Sequence, residues 1–345
     1  MKKISRFINL SNISRFRLIV QIIAFIILVY GGSQAISIGQ NVPAFACPYN
    51  LNSGGTCYLI SIQHQFHLPW KEFAGFRGLA IITGLLSFLL LFVLVNKAWC
   101  GFICPLGLIQ DLITKLRGLF NIRYSRYSQK TFKYLKSIKY VLLVLMILLP
   151  FGISNPIPGI GKVPEDLSAP FCQLCPARTV IPTFNADLSN YFIDFSNRTT
   201  MIMSILAMII TGIFFAGSFF KKRFFCFFCP MSALQHLFSR IGFLRLVKDG
   251  AKCTKCGNCS RVCDMGISAI AEDVTSHFIV KDDCMMCFKC LESCPENDCL
   301  KVNYLGLKIL TSTNEGFVKR YKNSKIFEDN NSINAAESLQ PNNEK

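Results

Sequence analysis

Cys253-Thr-Lys-Cys256-Gly-Asn-Cys259-Ser-Arg-Val-Cys263 is followed, after a spacer, by Cys284-Met-Met-Cys287-Phe-Lys-Cys290-Leu-Glu-Ser-Cys294-Pro295. A cubane iron-sulfur cluster needs four thiolates converging from a chain that wraps it closely. Three cysteines three apart, with a fourth slightly further on, supply that wrap. Two runs of identical spacing imply two [4Fe-4S] clusters. Zinc fits the pattern poorly, because its structural sites close with four ligands and favour two separated cysteine pairs. Disulfides would need an oxidising compartment, and the topology derived below places this segment in the cytosol.

Outside this segment the chain is of another kind. Hydrophobic residues make up 51% of the sequence and 31 residues are Phe, more apolar surface than a small soluble domain hides. Four uncharged stretches, residues 18–38, 78–96, 140–161 and 199–220, are long enough to cross about 30 Å of hydrocarbon as helices. Pro150, Pro156 and Pro158 make the third the least regular, and its outer end is expected to unwind. The first stretch follows Lys2, Lys3, Arg6, Arg15 and Arg17. It exceeds the usual length of a signal peptide, so it reads as a retained span.

The net charge is +17, but its distribution argues against nucleic acid as a partner. Basic residues gather in the leader, in residues 97–139, and at Lys221, Lys222 and Arg223, whereas the loops 39–77 and 162–198 carry fewer cations and several acids. The positive-inside rule puts the three basic places in the cytoplasm, and with them both termini and the cysteine-rich segment. The charge then serves topology and lipid headgroups, and a basic cytoplasmic face also attracts an acidic redox partner.

Eight of the other nine cysteines reveal a repeat. Trp99-Cys100-Gly-Phe-Ile-Cys104-Pro105-Leu-Gly-Leu-Ile-Gln110 follows the second apolar stretch, and Phe225-Cys226-Phe-Phe-Cys229-Pro230-Met-Ser-Ala-Leu-Gln235 follows the fourth. Cys104, Pro105, Gln110 and Leu112 align with Cys229, Pro230, Gln235 and Leu237. On the outer side Cys47-Pro48 and Cys57 follow the first stretch, and Cys172 and Cys175-Pro176 follow the third. The membrane part therefore reads as a tandem repeat, with units at about residues 18–120 and 140–245. Each unit is a helix, an outer cysteine pair, a second helix and an inner cysteine pair.

These phrases carry two resemblances. The segment around residues 248–303 resembles a bacterial two-cluster ferredoxin, in which the fourth cysteine of each run serves the other cluster. That implies Cys253, Cys256, Cys259 and Cys294 for one cluster, and Cys284, Cys287, Cys290 and Cys263 for the second. Asp264 stands where that pattern often has Pro after the fourth cysteine. Over residues 15–303 the chain resembles the membrane polyferredoxin family of the NapH type. That family includes quinol-oxidising membrane subunits of periplasmic nitrate reductase, membrane parts of nitrous-oxide reductase regulators, and assembly factors of cbb3 oxidases. The resemblance rests on the two Cys-Pro phrases and the eight ferredoxin cysteines. It implies electron transfer between a cytosolic donor or the quinone pool and a partner protein. The outer pairs depart from that family's pattern.

The expected architecture is an α-helical membrane protein, a four-helix transmembrane bundle built from a tandem repeat, followed by a small α+β ferredoxin-like domain. Two further clusters are open as hypotheses. Cys100, Cys104, Cys226 and Cys229 make four thiolates at the inner surface, the alternatives being redox-active dithiols or unmetallated thiols. Cys47, Cys57, Cys172 and Cys175 make four at the outer surface, the alternative being the disulfides Cys47 to Cys57 and Cys172 to Cys175. Clusters at opposite faces of a core about 30 Å thick lie too far apart for one efficient electron hop. Either the Cys-Pro turns dip into the membrane or a quinone bound among the helices bridges the gap. Gln110, Gln235 and His236 flank the inner motif as candidate hydrogen-bond partners of cluster sulfur or of a quinone carbonyl, with helix packing as the alternative. His64 and His67 read as surface histidines, and Cys299 as a spare thiol outside the pattern.

Residues 1–17 read as a cytoplasmic leader and residues 307–345 as a polar, disordered tail. The sequence shows no Gly-rich nucleotide loop, no Ser/His/Asp set and no flavin-attachment phrase, so substrate chemistry belongs to a partner. The expected role is a multi-pass electron relay of the cell membrane. A redox assembly or regulatory factor for another metalloenzyme is the alternative.

Overall fold

Apolar runs of Leu, Ile, Phe and Val set the long helices of this protein, and Cys-Pro steps interrupt them. The computed structural model describes residues 13–30, 63, 76–120, 122, 129–155, 170–275, 277–278 and 284–321. Within it the chain forms two units, Leu18–Gly242 and Met1–Arg17 together with Phe243–Lys345.

The helices of the larger unit run in the order α1 (Ile13–Tyr30), α2 (Phe76–Val95), α3 (Ala98–Phe102), α4 (Pro105–Leu119), α5 (Gln129–Ser154), α6 (Pro170–Leu174), α7 (Pro176–Val180), α8 (Arg198–Phe220) and α9 (Pro230–Phe238). Pro105, Pro176 and Pro230 each occupy the first turn of α4, α7 and α9, with Cys104, Cys175 and Cys229 as the preceding N-cap residues. Proline suits that place because its missing N–H is one the helix start leaves unpaired anyway. These three Cys-Pro steps therefore set their cysteines at helix entrances. Pro150 lies inside α5, which nevertheless runs on to Ser154.

By length and composition α1 and α8 are long and apolar enough to cross a membrane, and α2 and α5 contain the shorter apolar runs Ile82–Val95 and Ser137–Ile153. All four helices expose large apolar side chains, among them Ile23 and Ile27, Leu86 and Leu90, Val144 and Leu148, and Ile209 and Ile213. The four-residue spacing in each pair lines up one helix face.

Packing crosses the repeat. Phe25 and Val29 of α1, Leu106, Leu108 and Ile109 of α4, and Phe214 of α8 share one buried core with residues of α7 and Phe225. Phe88 and Phe92 of α2, Leu143 and Met146 of α5, and Met231 and Ala233 of α9 share the other, together with Trp99. Each core thus joins the first long helix and the post-Cys-Pro helix of one repeat to the second long helix of the other repeat. Arg117 on α4 donates to the Phe219 carbonyl at the end of α8 (2.8 Å), fixing the same exchange. Cys229 packs against both cores and so stands where they meet, and Cys104 packs against the first.

The smaller unit holds a three-stranded antiparallel sheet of β1 (Leu244–Lys248), β2 (Leu300–Tyr304) and β3 (Leu307–Thr311), in that order. Its short helices are α10 (Asn258–Arg261), α11 (Ala269–Glu272) and α12 (Lys289–Glu292), followed by α13 (Asn314–Tyr321). Leu246 and Val302 face each other across β1 and β2, Val302 pairs with Leu310 across β2 and β3, and all three are buried. From the leader, Ser14 donates through its N–H (2.7 Å) and hydroxyl (2.5 Å) to buried Glu292.

The expectation that a disordered tail starts at 307 is corrected by β3 and α13. Leu305 and Gly306 both have positive φ (51° and 81°). That is what a two-residue hairpin turn asks of its central pair, and it returns the chain onto β2. Ser312 then donates to the Glu296 carbonyl (2.7 Å) and accepts from the Leu300 N–H (3.1 Å) while fully buried, and Phe317 is buried as well. A chain ending at residue 306 is expected to lose cooperative unfolding of the cysteine-rich unit. Burial of Phe317 alone is worth about 3–5 kcal/mol against Ala, and thermal denaturation followed by circular dichroism measures the change.

Candidate metal centres

The first run of cysteines threads a loop that cannot be regular helix or strand, because its residues must turn inward one after another. Lys255 and Gly257 take positive φ (55° and 76°), and α10 begins only at Asn258. The result is a cavity of about 340 Å³, its open mouth included, whose lining includes Cys253, Cys256, Cys259 and Cys294. These are the four cysteines that the two-cluster ferredoxin resemblance groups together. Cys299 lines the same cavity. It is buried, its thiol lies 3.6 Å from the Asp249 carbonyl, and its hydrogen bond holds the Cys294 thiol down to about 7. Spacing alone gave no sign of this, since Cys299 belongs to neither run. Its place follows from β2, which starts at Leu300 and carries the preceding residue into the cavity wall.

The second run behaves alike. Met286 and Phe288 have positive φ (50° and 57°), and Cys287, Cys290 and Cys294 are buried. Burial is the largest cause that raises the Cys290 thiol, and the nearby Cys284, Cys287, Cys259 and Cys263 thiols add to it. Cys263 is pushed up to about 11, again by burial first and by Cys287 next. Cys284, Cys287, Cys263 and Cys259 thus all lie within electrostatic reach of Cys290, and Cys263 within that of Cys287. Asp264, in place of the common proline, is buried and accepts from Arg17 (3.4 Å) and Lys289 (2.5 Å).

In the larger unit α3 and α4 carry Cys100 and Cys104, and a 3-10 turn (Phe224–Phe227) and the entrance to α9 carry Cys226 and Cys229. Two residues with positive φ, Asn96 (52°) and Arg223 (52°), stand before these turns. Burial raises all four thiols, Cys104 to about 11 and Cys229 to about 12. The Cys100 thiol is raised further by Cys104, Cys226 and Cys229. One set of four thiols from both repeats therefore converges.

The groups around this set are exchanged between repeats as the helices are. Cys100 donates to Gln235 Oε1 (2.9 Å), and Gln110 hydrogen-bonds the Cys226 thiol while accepting from the Phe225 N–H (3.0 Å). Arg223 donates to Asp111 through Nε (3.0 Å) and Nη2 (2.5 Å), and to the Cys100 carbonyl through Nη1 (3.2 Å). On the other side Lys97 Nζ lies 3.4 Å from His236 Nδ1. Both cations are almost wholly buried, Arg223 at 1% and Lys97 at 2% exposed. Gly107 touches the Arg223 guanidinium so closely that a Cβ there would displace it.

The residues fit a cluster better than a single ion. Tetrahedral zinc thiolates stand about 3.8 Å apart, as Zn–S bonds of about 2.3 Å require. Among the described residues no three His, Cys, Asp or Glu close around a single-ion position. Gln235 Nε2 is fully buried with no hydrogen-bond partner. In the thiol form Cys100 donates to the amide oxygen, whereas a thiolate or a cluster sulfide accepts, and the orphaned amide N–H group is then the donor. Lys97 acts against the rise of the Cys100 thiol, and Arg223, itself paired with Asp111, against that of Cys104 and Cys226, which suits an anionic occupant.

Of the outer set, Cys47 and Cys57 lie outside the described residues, as do His64 and His67. Gln63 Nε2 donates to the Cys172 sulfur at 3.0 Å.

Comparison with known proteins agrees with this chemistry. Residues 77–123 and 203–248 both match the family described as 4Fe-4S binding domain, and residues 245–295 match the 4Fe-4S dicluster domain. The first pair of matches contains the two inner Cys-Pro phrases. The chain is 29% identical over 225 residues, 65% of its length and 79% of the relative's, to an uncharacterized protein of Methanocaldococcus jannaschii. It is 26% identical to a second one from that organism over 64% of its length and 70% of the relative's. It is also 22% identical, over 66% of its length and 60% of the relative's, to an Escherichia coli protein named "Putative electron transport protein YccM". No solved structure matches the chain. These 4Fe-4S domains and the electron-transport relative support a place for the chain in iron-sulfur electron transfer.

Proposed function

We propose that this chain is a multi-pass membrane relay that carries electrons between a cytosolic donor or the quinone pool and a partner reductase, with three iron-sulfur centres in the described residues. The observation that carries the reading is the convergence of Cys100, Cys104, Cys226 and Cys229 from both repeats, with the orphaned amide of Gln235 and the buried cations Lys97 and Arg223 around them. Two centres belong to the ferredoxin-like unit, held by Cys253, Cys256, Cys259 and Cys294 and by Cys284, Cys287, Cys290 and Cys263. The third belongs to the inner thiols. Bound clusters supply one-electron redox chemistry over a range of about −700 to +450 mV.

The chain's own residues do the rest. The thiolates hold, the buried amides donate to sulfur, and the buried guanidinium and ammonium offset negative charge. Apolar faces on all four long helices favour spanning over a soluble bundle, because that much exposed Leu, Ile and Phe stays in water only at high cost. The basic segments put both termini on the cytoplasmic side. A quinone headgroup is the reading for the membrane-side electron source or sink. The outer cysteines add a fourth centre in this account only if Cys47 and Cys57 join Cys172 and Cys175.

The test uses full-length protein in membranes. After alkaline carbonate extraction it should stay in the pellet, and anaerobic addition of a quinol should bleach the iron-sulfur absorption in the visible range. Release by carbonate, or no bleaching by quinol with full bleaching by dithionite, contradicts the membrane and quinone parts respectively.

A further inference from the structure

Lys248 ends β1 and is about 2% exposed. Its ammonium donates to three backbone carbonyls, those of Ile270 (2.8 Å), Ala271 (3.2 Å) and Asp273 (2.8 Å). All three partners are uncharged. A buried ammonium held only by neutral carbonyls normally needs an opposite charge nearby. Lys248 and Ala271 both line the cavity that Cys253, Cys256, Cys259 and Cys294 share, and Lys248 acts electrostatically on Cys259. Among the described residues no carboxylate is paired with the Lys248 ammonium, and the cavity is the place left for an opposite charge. At the second thiol group the arrangement differs, since buried Asp264 there takes both Arg17 and Lys289.

We infer that Lys248 is the fixed counter-charge of the centre held by Cys253, Cys256, Cys259 and Cys294, and that it raises the reduction potential of that centre alone. The inference rests on the ferredoxin-like reading of the two cysteine runs. Each one-electron reduction adds a negative charge to the cavity. A buried cation stabilises the reduced form more than the oxidised form, because screening by water is weak there. Lys248 is a positioning residue here and does not itself gain or lose an electron.

The experiment compares full-length wild type with Lys248→Met, which keeps the apolar stem, and Lys248→Gln, which keeps a donor for the carbonyls. Iron and acid-labile sulfide are counted first, and each centre is then titrated by electron paramagnetic resonance at controlled potential. The signal of the relevant centre is the one that Cys256→Ser alters. The expected result is an unchanged iron content and a fall of at least tenfold in the reduced-to-oxidised ratio of that centre at a fixed potential. That is a shift of about 59 mV to lower potential for a one-electron couple. The second ferredoxin-like centre should stay where it was.

An unchanged potential with full iron overturns the inference, and so does an equal shift of both centres. Loss of the centre from both variants also overturns it, since Lys248 is then only a brace for the loop at residues 270–273. Wild-type protein that lacks two centres in this unit sinks the ferredoxin-like reading itself, which separates the two failures.

Discussion

Replacing Arg223 by Met is expected to lower the stability of the larger unit by about 3–5 kcal/mol, the usual cost of removing one partner from a buried ion pair. Arg223 is among the most buried large side chains, and from the second repeat it bonds both Asp111 and the Cys100 carbonyl of the first. Its removal takes two guanidinium donors from the Asp111 carboxylate, to which Gln21 Nε2 still donates (3.0 Å). For 150–250 residues the loss corresponds to roughly 6–20 °C in Tm. The double variant Arg223→Met with Asp111→Leu should recover much of it, because two apolar groups of similar size replace a buried pair with little penalty. Thermal melts in detergent measure both variants. A single variant within about 1 kcal/mol of wild type would show that the pair is a surface contact in energetic effect.

The joint substitution Cys104→Ser with Cys229→Ser is expected to remove about four iron and four sulfide per chain while leaving those of the ferredoxin-like unit. The two cysteines come from different repeats and each begins a helix after its Cys-Pro step, so serine keeps the local fold while it removes half of the ligands. Retention of all iron in this variant means that the inner thiols are dithiols without metal.

Much of this was legible in residue spacing. The two runs from Cys253 and Cys284 announce their chemistry because a cubane dictates the distances between its thiolates. The structure places Cys253, Cys256 and Cys259 of the first run with Cys294 around one cavity. The repeat was equally readable from the two Cys-Pro phrases. What spacing did not contain was the exchange of second helices between repeats. An apolar run such as that of α2 carries no signal for which partner it takes. Lys97 and Arg223 read as topology-setting cations at a membrane surface, and spacing did not show that both are also buried beside the inner cysteines. Lys248 was invisible for the same reason, being the last residue of a short strand whose three carbonyl partners lie more than twenty residues away in sequence. The stretch from Leu307 looked like the start of a polar tail because its apolar alternation is brief. The turn at Leu305 and Gly306 makes it a strand.

The central claim is that the four inner thiols hold a centre of their own, beside the two of the ferredoxin-like unit. Iron and acid-labile sulfide counted per chain in anaerobically purified full-length protein test it most directly. About twelve of each are expected, or about sixteen if the outer cysteines also hold a cluster. About eight of each would confine the clusters to the ferredoxin-like unit and contradict the claim.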